Sequence, residues 1–181
     1  MLNKVDEHQE IREAIRDLCG QFSSEYFRKI DEARGYPEAF VNALTAAGWL
    51  AALIPEEYGG SGLGLSEAAA ILGEIHRSGG NAGACHAQMY TMGTLLRHGS
   101  PEQKERWLTG IASGALRLQA FAVTEPDAGS DLASLQTRAE EDGDDFLVTG
   151  SKIWNGAHGG ADWMFMLART DPEAPKHRGI S

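Results

Sequence analysis

The chain has 181 residues, room for one large domain or two small ones and enough to bury a core. Hydrophobic residues at 42% and charged residues at 23% exclude wholesale disorder and collagen-like or fibrous structure. The 16 Lys and Arg against 26 Asp and Glu leave a net charge of -10, a mean field that repels phosphate backbones and anionic lipid and argues against nucleic acid as a partner.

The opening residues mix Asp6, Glu7 and Glu10 with basic side chains, unlike an Arg-rich, acid-poor transit peptide or a secretory signal. From Val5 to Tyr26 the apolar residues Val5, Ile11, Ile15, Leu18, Cys19, Phe22 and Tyr26 recur at steps of three and four, which predicts one amphipathic helix. A second helix is expected after Gly35-Tyr36, with Pro37 at its first position, Phe40, Val41, Leu44 and Ala47 inward, and an end near Gly48. The longest apolar stretch, around Ala46 to Ile54, is far short of the roughly 20 residues that span a bilayer, so no membrane span and a cytoplasmic location are expected. Residues 54–62 carry a proline and three glycines in a run that breaks regular structure. Neither of the common nucleotide-loop spacings lies over Gly59 to Gly64, so this is read as a connecting loop.

A third helix is predicted over 66–75 with Ser66 as N-cap, and a fourth over 85–97. The fifth has the clearest start: Ser100 as N-cap, Pro101 at the first helical position and Gln103 placed to complete a capping box, running to about Ala112. After Gly114 the pattern becomes short extended runs over 118–123, 136–140, 146–149 and 163–168. Asp142-Gly143-Asp144 is a hairpin turn, and Trp163 to Leu167, apolar on both faces, is expected to be a covered strand. Cys19 and Cys85 are too few for a disulfide framework and are read as reduced. The six histidines show no paired ligand spacing, so no metal is expected.

Two clusters stand at strand ends. In Phe121 to Asp131 an apolar strand runs into Thr124, Glu125, Pro126, Gly129 and Ser130. Pro126 biases Glu125 toward extended geometry, Gly129 permits close approach and the hydroxyls offer donors, although the residues alone also allow an ordinary turn. In Gly150 to Trp163 the indole of Trp154 sits between glycines, beside Asn155. It suits stacking on a flat heterocycle, and equally a core position beside a loop.

Four ordered motifs resemble the acyl-CoA dehydrogenase family. They are P-E-E-Y-G-G-S-G from Pro55, H-G-S-P-E-Q-K from His98, T-E-P-x-A-G-S-D from Thr124, and G-S-K-x-W from Gly150 followed by A-D-W and A-R-T-D from Ala161 to Asp171. The resemblance implies an α+β fold: an N-terminal all-α helical bundle over 1–117, followed by an incomplete antiparallel β domain over 118–181. It implies FAD as cofactor, with Phe121, Val123, Thr124, Gly129, Ser130, Trp154, Asn155 and Gly156 facing the flavin, and Ser130 also meeting the acyl-CoA. A hydroxyl residue is usual in the family where this chain has Gly156, so one flavin contact there is absent or passes to backbone. The implied activity is α,β-dehydrogenation of an acyl-CoA thioester to a trans-2-enoyl-CoA, with an electron-transfer flavoprotein as electron acceptor and a homo-oligomeric complete enzyme. The chain is expected to be an N-terminal portion that lacks the family's catalytic base. The competing readings are a non-catalytic partner or assembly module that pairs through an unfinished sheet edge, and a related flavin oxidase or monooxygenase on the same scaffold.

Overall fold

The first helix stops earlier than its apolar pattern suggests. In the computed structural model, which describes residues 7–156 and 161–181, α1 covers Gln9–Cys19 and α2 covers Ser24–Glu32. Val5 and residues 157–160 of the second glycine cluster lie outside the described residues. Ser23 restarts the helix because its hydroxyl accepts from the Tyr26 amide at 3.2 Å, satisfying one of the donors a helix start leaves free. Phe22 and Phe27 still reach the same target, their rings meeting Phe40 at 5.2 and 5.1 Å.

Helix α3 spans Glu38–Ala46, with Pro37 just outside as the capping residue instead of inside the first turn, and Gly48 beyond its end at φ +80°. The run that follows contains single 3-10 turns at Trp49–Ala51 and Glu56–Tyr58. Its glycines serve packing: a Cβ on Gly60 would lie 2.1 Å from the Ile54 carbonyl oxygen, and the Gly62 and Leu63 amides donate to Ile54 and Ala52 at 2.8 Å. Helix α4, Leu65–Arg77, begins one residue before the expected Ser66 cap. Ser66 donates its hydroxyl to Glu67, and the Glu67 carboxylate reaches back to the Gly64 amide at 3.0 Å, so Gly64 takes the capping position. Helices α5, Gly83–His98, and α6, Pro101–Ser113, complete the set. The capping box on α6 forms as expected, with the Gln103 amide donating to Ser100 Oγ at 3.2 Å and the Ser100 amide to Gln103 Oε1 at 2.9 Å.

The described residues fall into two units, 7–119 with 161–163, and 120–156 with 164–181. In the helical unit Ile15, Phe40, Leu44, Leu50, Ile54, Ile71, Met92, Leu108 and Ile111 form one core. Cys19 and Cys85 are buried and free, and burial pushes the Cys85 thiol up to about 12, so neither is a reactive thiolate. Glu74, on the buried face of α4, is held by Arg12, Arg16 and Arg77 at 3.8, 3.0 and 3.6 Å, which fixes α1 against α4.

Strands β1, Leu118–Ala122, β2, Arg138–Asp142, β3, Asp145–Thr149, and β4, Trp163–Met166, follow the predicted runs, with β2 displaced toward the turn. Strands β2 and β3 are antiparallel, from Arg138 opposite Thr149 to Asp142 opposite Asp145, and Gly143 supplies φ +67° in the turn. Strands β1 and β4 pair as well. Their hydrogen bonds advance along both in the same sense, from Arg117 with Asp162 and Trp163 to Ala122 with Leu167, so this pair is parallel. The long segment between them, hairpin included, is the crossover such pairing needs. The α+β class therefore stands, with a mixed rather than purely antiparallel β part.

Strand β4 corrects one expectation. Trp163 and Met164 are 49% and 41% exposed, so it is not a covered strand among the described residues. The Trp107 ring, 4.5 Å away, shields part of the Trp163 indole.

Inside the helical unit the entry to β1 is anchored by polar contacts. The Arg117 guanidinium donates to both Glu38 oxygens at 3.0 and 2.8 Å and lies 5.5 Å from the centre of the Tyr36 ring. Gln119 accepts from the Tyr36 hydroxyl at 2.5 Å and donates to buried Gln88 at 3.3 Å.

Gly60→Ala should lower stability by about 1–3 kcal/mol, because the new methyl meets backbone that cannot yield. Gly93→Ala, inside α5 with no atom within 4 Å of the added Cβ, should raise it by about 0.5–1 kcal/mol. Urea denaturation midpoints followed by circular dichroism check both signs.

Candidate functional site

Pro126 decides where β1 leaves its straight course. It favours extended geometry at Glu125, and the next turn closes at once, the Glu125 amide donating to the Ala128 carbonyl at 2.9 Å and the Ala128 amide returning to Glu125 at 3.3 Å. Residues 121–124, just before this turn, are bonded on both sides. On one side Leu167 donates to the Ala122 carbonyl at 3.1 Å. On the other, the Ile153 amide donates to Thr124 at 2.9 Å and the Phe121 amide to Asn155 at 3.2 Å. The two clusters singled out in the sequence are therefore neighbouring backbone stretches within the β unit, running antiparallel.

Trp154 lies in the middle of the second stretch with φ +59°, a left-handed conformation that a bulky residue adopts only under constraint, and its side chain is 81% exposed. That exposure removes the core-tryptophan reading. Gly156 also has positive φ, at +65°, and Asn155 is half-buried. Phe121, Val123 and Thr124 are half-buried, whereas Gly129 and Ser130 are exposed. A Cβ on Gly129 would meet nothing within 4 Å, which leaves the backbone open to approach. Among the described residues no hydrogen bond engages the Thr124 hydroxyl.

Beneath these residues lies an ion pair that the sequence reading did not assign. Lys152 Nζ donates to Glu125 Oε1 at 2.8 Å and to the Val123 carbonyl at 3.1 Å. Glu125 also accepts from the amides of Gln136 at 2.7 Å and Thr137 at 2.9 Å. Both side chains are more than nine-tenths buried. Burial pushes the Glu125 carboxyl up, but the Lys152 ammonium and the Gln136 and Thr137 amides outweigh it and bring the group down to about 2. One signal was available: Lys152 is the only lysine or arginine between Arg138 and Arg169, and it stands in an otherwise uncharged glycine-rich run.

A cleft of about 610 Å³ opens in the β unit, lined by residues of the Glu125 turn, by Leu135 to Arg138, by Thr149 to Ser151 and by Arg169. None of the eight predicted cofactor-facing residues lines it. Arg169 does not point a free cation at a ligand there, since its guanidinium is spent on the Ala133 carbonyl at 2.9 Å and on those of Leu135 and Lys176 at 3.5 and 3.4 Å. No group of three or more potential metal ligands occurs among the described residues, and no described helix is long and apolar enough to cross a membrane.

Comparison with known proteins matches residues 5–115 to the acyl-CoA dehydrogenase N-terminal domain and residues 120–181 to the acyl-CoA dehydrogenase middle domain. The probable acyl-CoA dehydrogenase FadE25 of Mycobacterium leprae is 37% identical over 171 residues, 93% of this chain and 43% of its own length. Among solved structures, the Tcur3481-Tcur3483 steroid ACAD is 40% identical with a TM-score of 0.79, covering 95% of this chain and 45% of its own. The acyl-CoA dehydrogenase from Geobacillus kaustophilus is 32% identical with a TM-score of 0.86, covering 97% and 47%. The chain spans less than half the length of the curated relatives it matches.

The buried carboxylate makes stability pH-dependent. A folded-state value of about 2 against an ordinary 4.5 means that Glu125 contributes stability fully present above pH 4.5 and lost as pH falls toward 2, on the order of 3 kcal/mol in all. Denaturation midpoints of the native chain should fall through that window, and those of Glu125→Gln should start lower at pH 7 and fall less.

Proposed function

This chain belongs to the acyl-CoA dehydrogenase family, and on that premise we propose that its β unit grips FAD for the α,β-dehydrogenation of an acyl-CoA thioester. The observation that carries the reading is the antiparallel bonding of 121–124 to 153–155, which makes neighbours of a hydroxyl that no described residue engages and an indole exposed to solvent. Both features suit a flat, polar-edged heterocycle: a ring face would cover apolar surface that otherwise lies in water, and its edge would satisfy the Thr124 hydroxyl. The left-handed backbone at Trp154 supports the same reading, since such strain concentrates where a side chain must be presented.

Thr124 holds the polar edge of the ring system and Trp154 flanks it. Phe121, Val123, Gly129, Asn155 and Gly156 supply the surrounding backbone, with Gly156 contributing no side chain. Ser130, exposed and hydroxylic, serves both the cofactor and the acyl-CoA. FAD, when bound, supplies the two-electron acceptor for the hydride that leaves the β-carbon as the α-proton is removed, giving the trans-2-enoyl-CoA. Glu125 is not the base for that proton: its carboxylate is buried, bonded to Lys152 and two amides, and too weakly basic at about 2. No acidic residue of this chain is assigned that role. Electrons pass on to an electron-transfer flavoprotein, and the complete enzyme is a cytoplasmic homo-oligomer. The likeness to a steroid ACAD makes a bulky polycyclic acyl chain the first substrate to try.

Titration of the chain with FAD, followed by flavin fluorescence, should show saturable binding. Trp154→Ala and Thr124→Val should each weaken it about 2- to 12-fold, the equivalent of 0.5–1.5 kcal/mol for a ring contact or a hydrogen bond. Absence of saturable binding by the native chain overturns the reading. With acyl-CoA thioesters and an artificial electron acceptor the chain should turn over weakly or not at all.

A further inference from the structure

We infer that Lys152 and Glu125 are positioning residues for the cofactor: their buried ion pair holds the Thr124 stretch and the Trp154 stretch in register, and so sets the hydroxyl and the indole relative to the ring between them. This rests on the reading that FAD binds at 121–130 and 154–156, and goes beyond it by naming the element that aligns the two halves of the grip.

Position in the chain makes the case. Glu125 follows Thr124 directly, and Lys152 stands two residues before Trp154. The ammonium bridges the two stretches by side chain to Val123 and Glu125, within one or two residues of the backbone bond from Ile153 to Thr124. The carboxylate extends the tie to a third segment by accepting from Gln136 and Thr137. A register shift of one residue at 152–155 would carry the indole to the opposite face and strand a buried charge on each side of the break. The ion pair reinforces the backbone bonds from Ile153 to Thr124 and from Phe121 to Asn155 against that slip.

A lysine and a glutamate buried together could serve folding alone, and the test separates the two roles. Hydrogen exchange and FAD affinity are measured for the native chain, Lys152→Met, Lys152→Arg and the uncharged pair Glu125→Gln/Lys152→Met. The double variant leaves no lone buried charge, and covers the case in which Lys152→Met does not fold. In the folded variant lacking the ammonium, the Phe121 and Ile153 amides should lose protection while those of the hairpin ladder over Ala139–Val148 keep it. FAD should bind at least about tenfold more weakly, with a weakened visible circular dichroism of the bound flavin, and Lys152→Arg should restore both. Unchanged FAD affinity in a folded variant lacking the ammonium overturns the inference. So does weakened affinity accompanied by uniform loss of protection across the hairpin, which marks a merely structural role. Failure of the native chain to bind FAD is a different result, and it falls on the functional reading.

Discussion

A single buried carboxylate organises the β unit. Removing Glu125 and Lys152 from water costs several kcal/mol for each ion, and that cost is offset only because the ammonium and two backbone amides converge on one carboxylate. The donors come from two places, Lys152 from the glycine-rich run and the adjacent Gln136 and Thr137 from the entry to β2, and the carboxylate from a third. Three segments far apart in sequence are thus committed to one point. An apolar contact there would bury as much surface, but it would not specify which residue meets which.

The helical unit uses the same device differently. Around Glu74 three guanidiniums crowd one carboxylate, fixing α1 on α4. Around Gln119 the contacts are neutral and linear, from Tyr36 through Gln119 to Gln88. A neutral chain of amides and a phenol avoids the desolvation penalty of an ion pair, and suits a place where the polypeptide must be positioned while passing from helix to strand.

Signals confined to a few adjacent residues were the ones legible in the sequence. Ser100, Pro101 and Gln103 lie within four positions, and the box they predict forms; Gly143 between two aspartates predicts its turn in the same way. Apolar periodicity located the helices but not their ends, because Ser23 interrupts α1 and α2 without disturbing the apolar face on either side. Where two local signals competed, as at Gly64 and Ser66, the outcome depended on which group Glu67 reached. For the candidate site both clusters were accessible, whereas the exposure of Trp154, which the residues left open between stacking and a core position, and the pairing of Glu125 with Lys152 were not. Glu125 and Lys152 are separated by the whole β2–β3 hairpin, and the isolation of Lys152 in an uncharged glycine-rich run does not say which carboxylate it meets. The apolar run at β4 misled for the complementary reason: side-chain character says what would gain from cover, not whether cover exists.

That asymmetry has a practical outcome at β3. Phe146, Leu147 and Val148 are consecutive and all well exposed, on a strand that turns both its faces to solvent. A net charge of -10 gives mutual repulsion that opposes contact between such surfaces in dilute buffer. Added electrolyte shortens the reach of that repulsion to about 3 Å at molar strength and leaves the attraction intact. Dispersion of the polypeptide should therefore depend on ionic strength, which favours concentrating it at low salt and well above its isoelectric point.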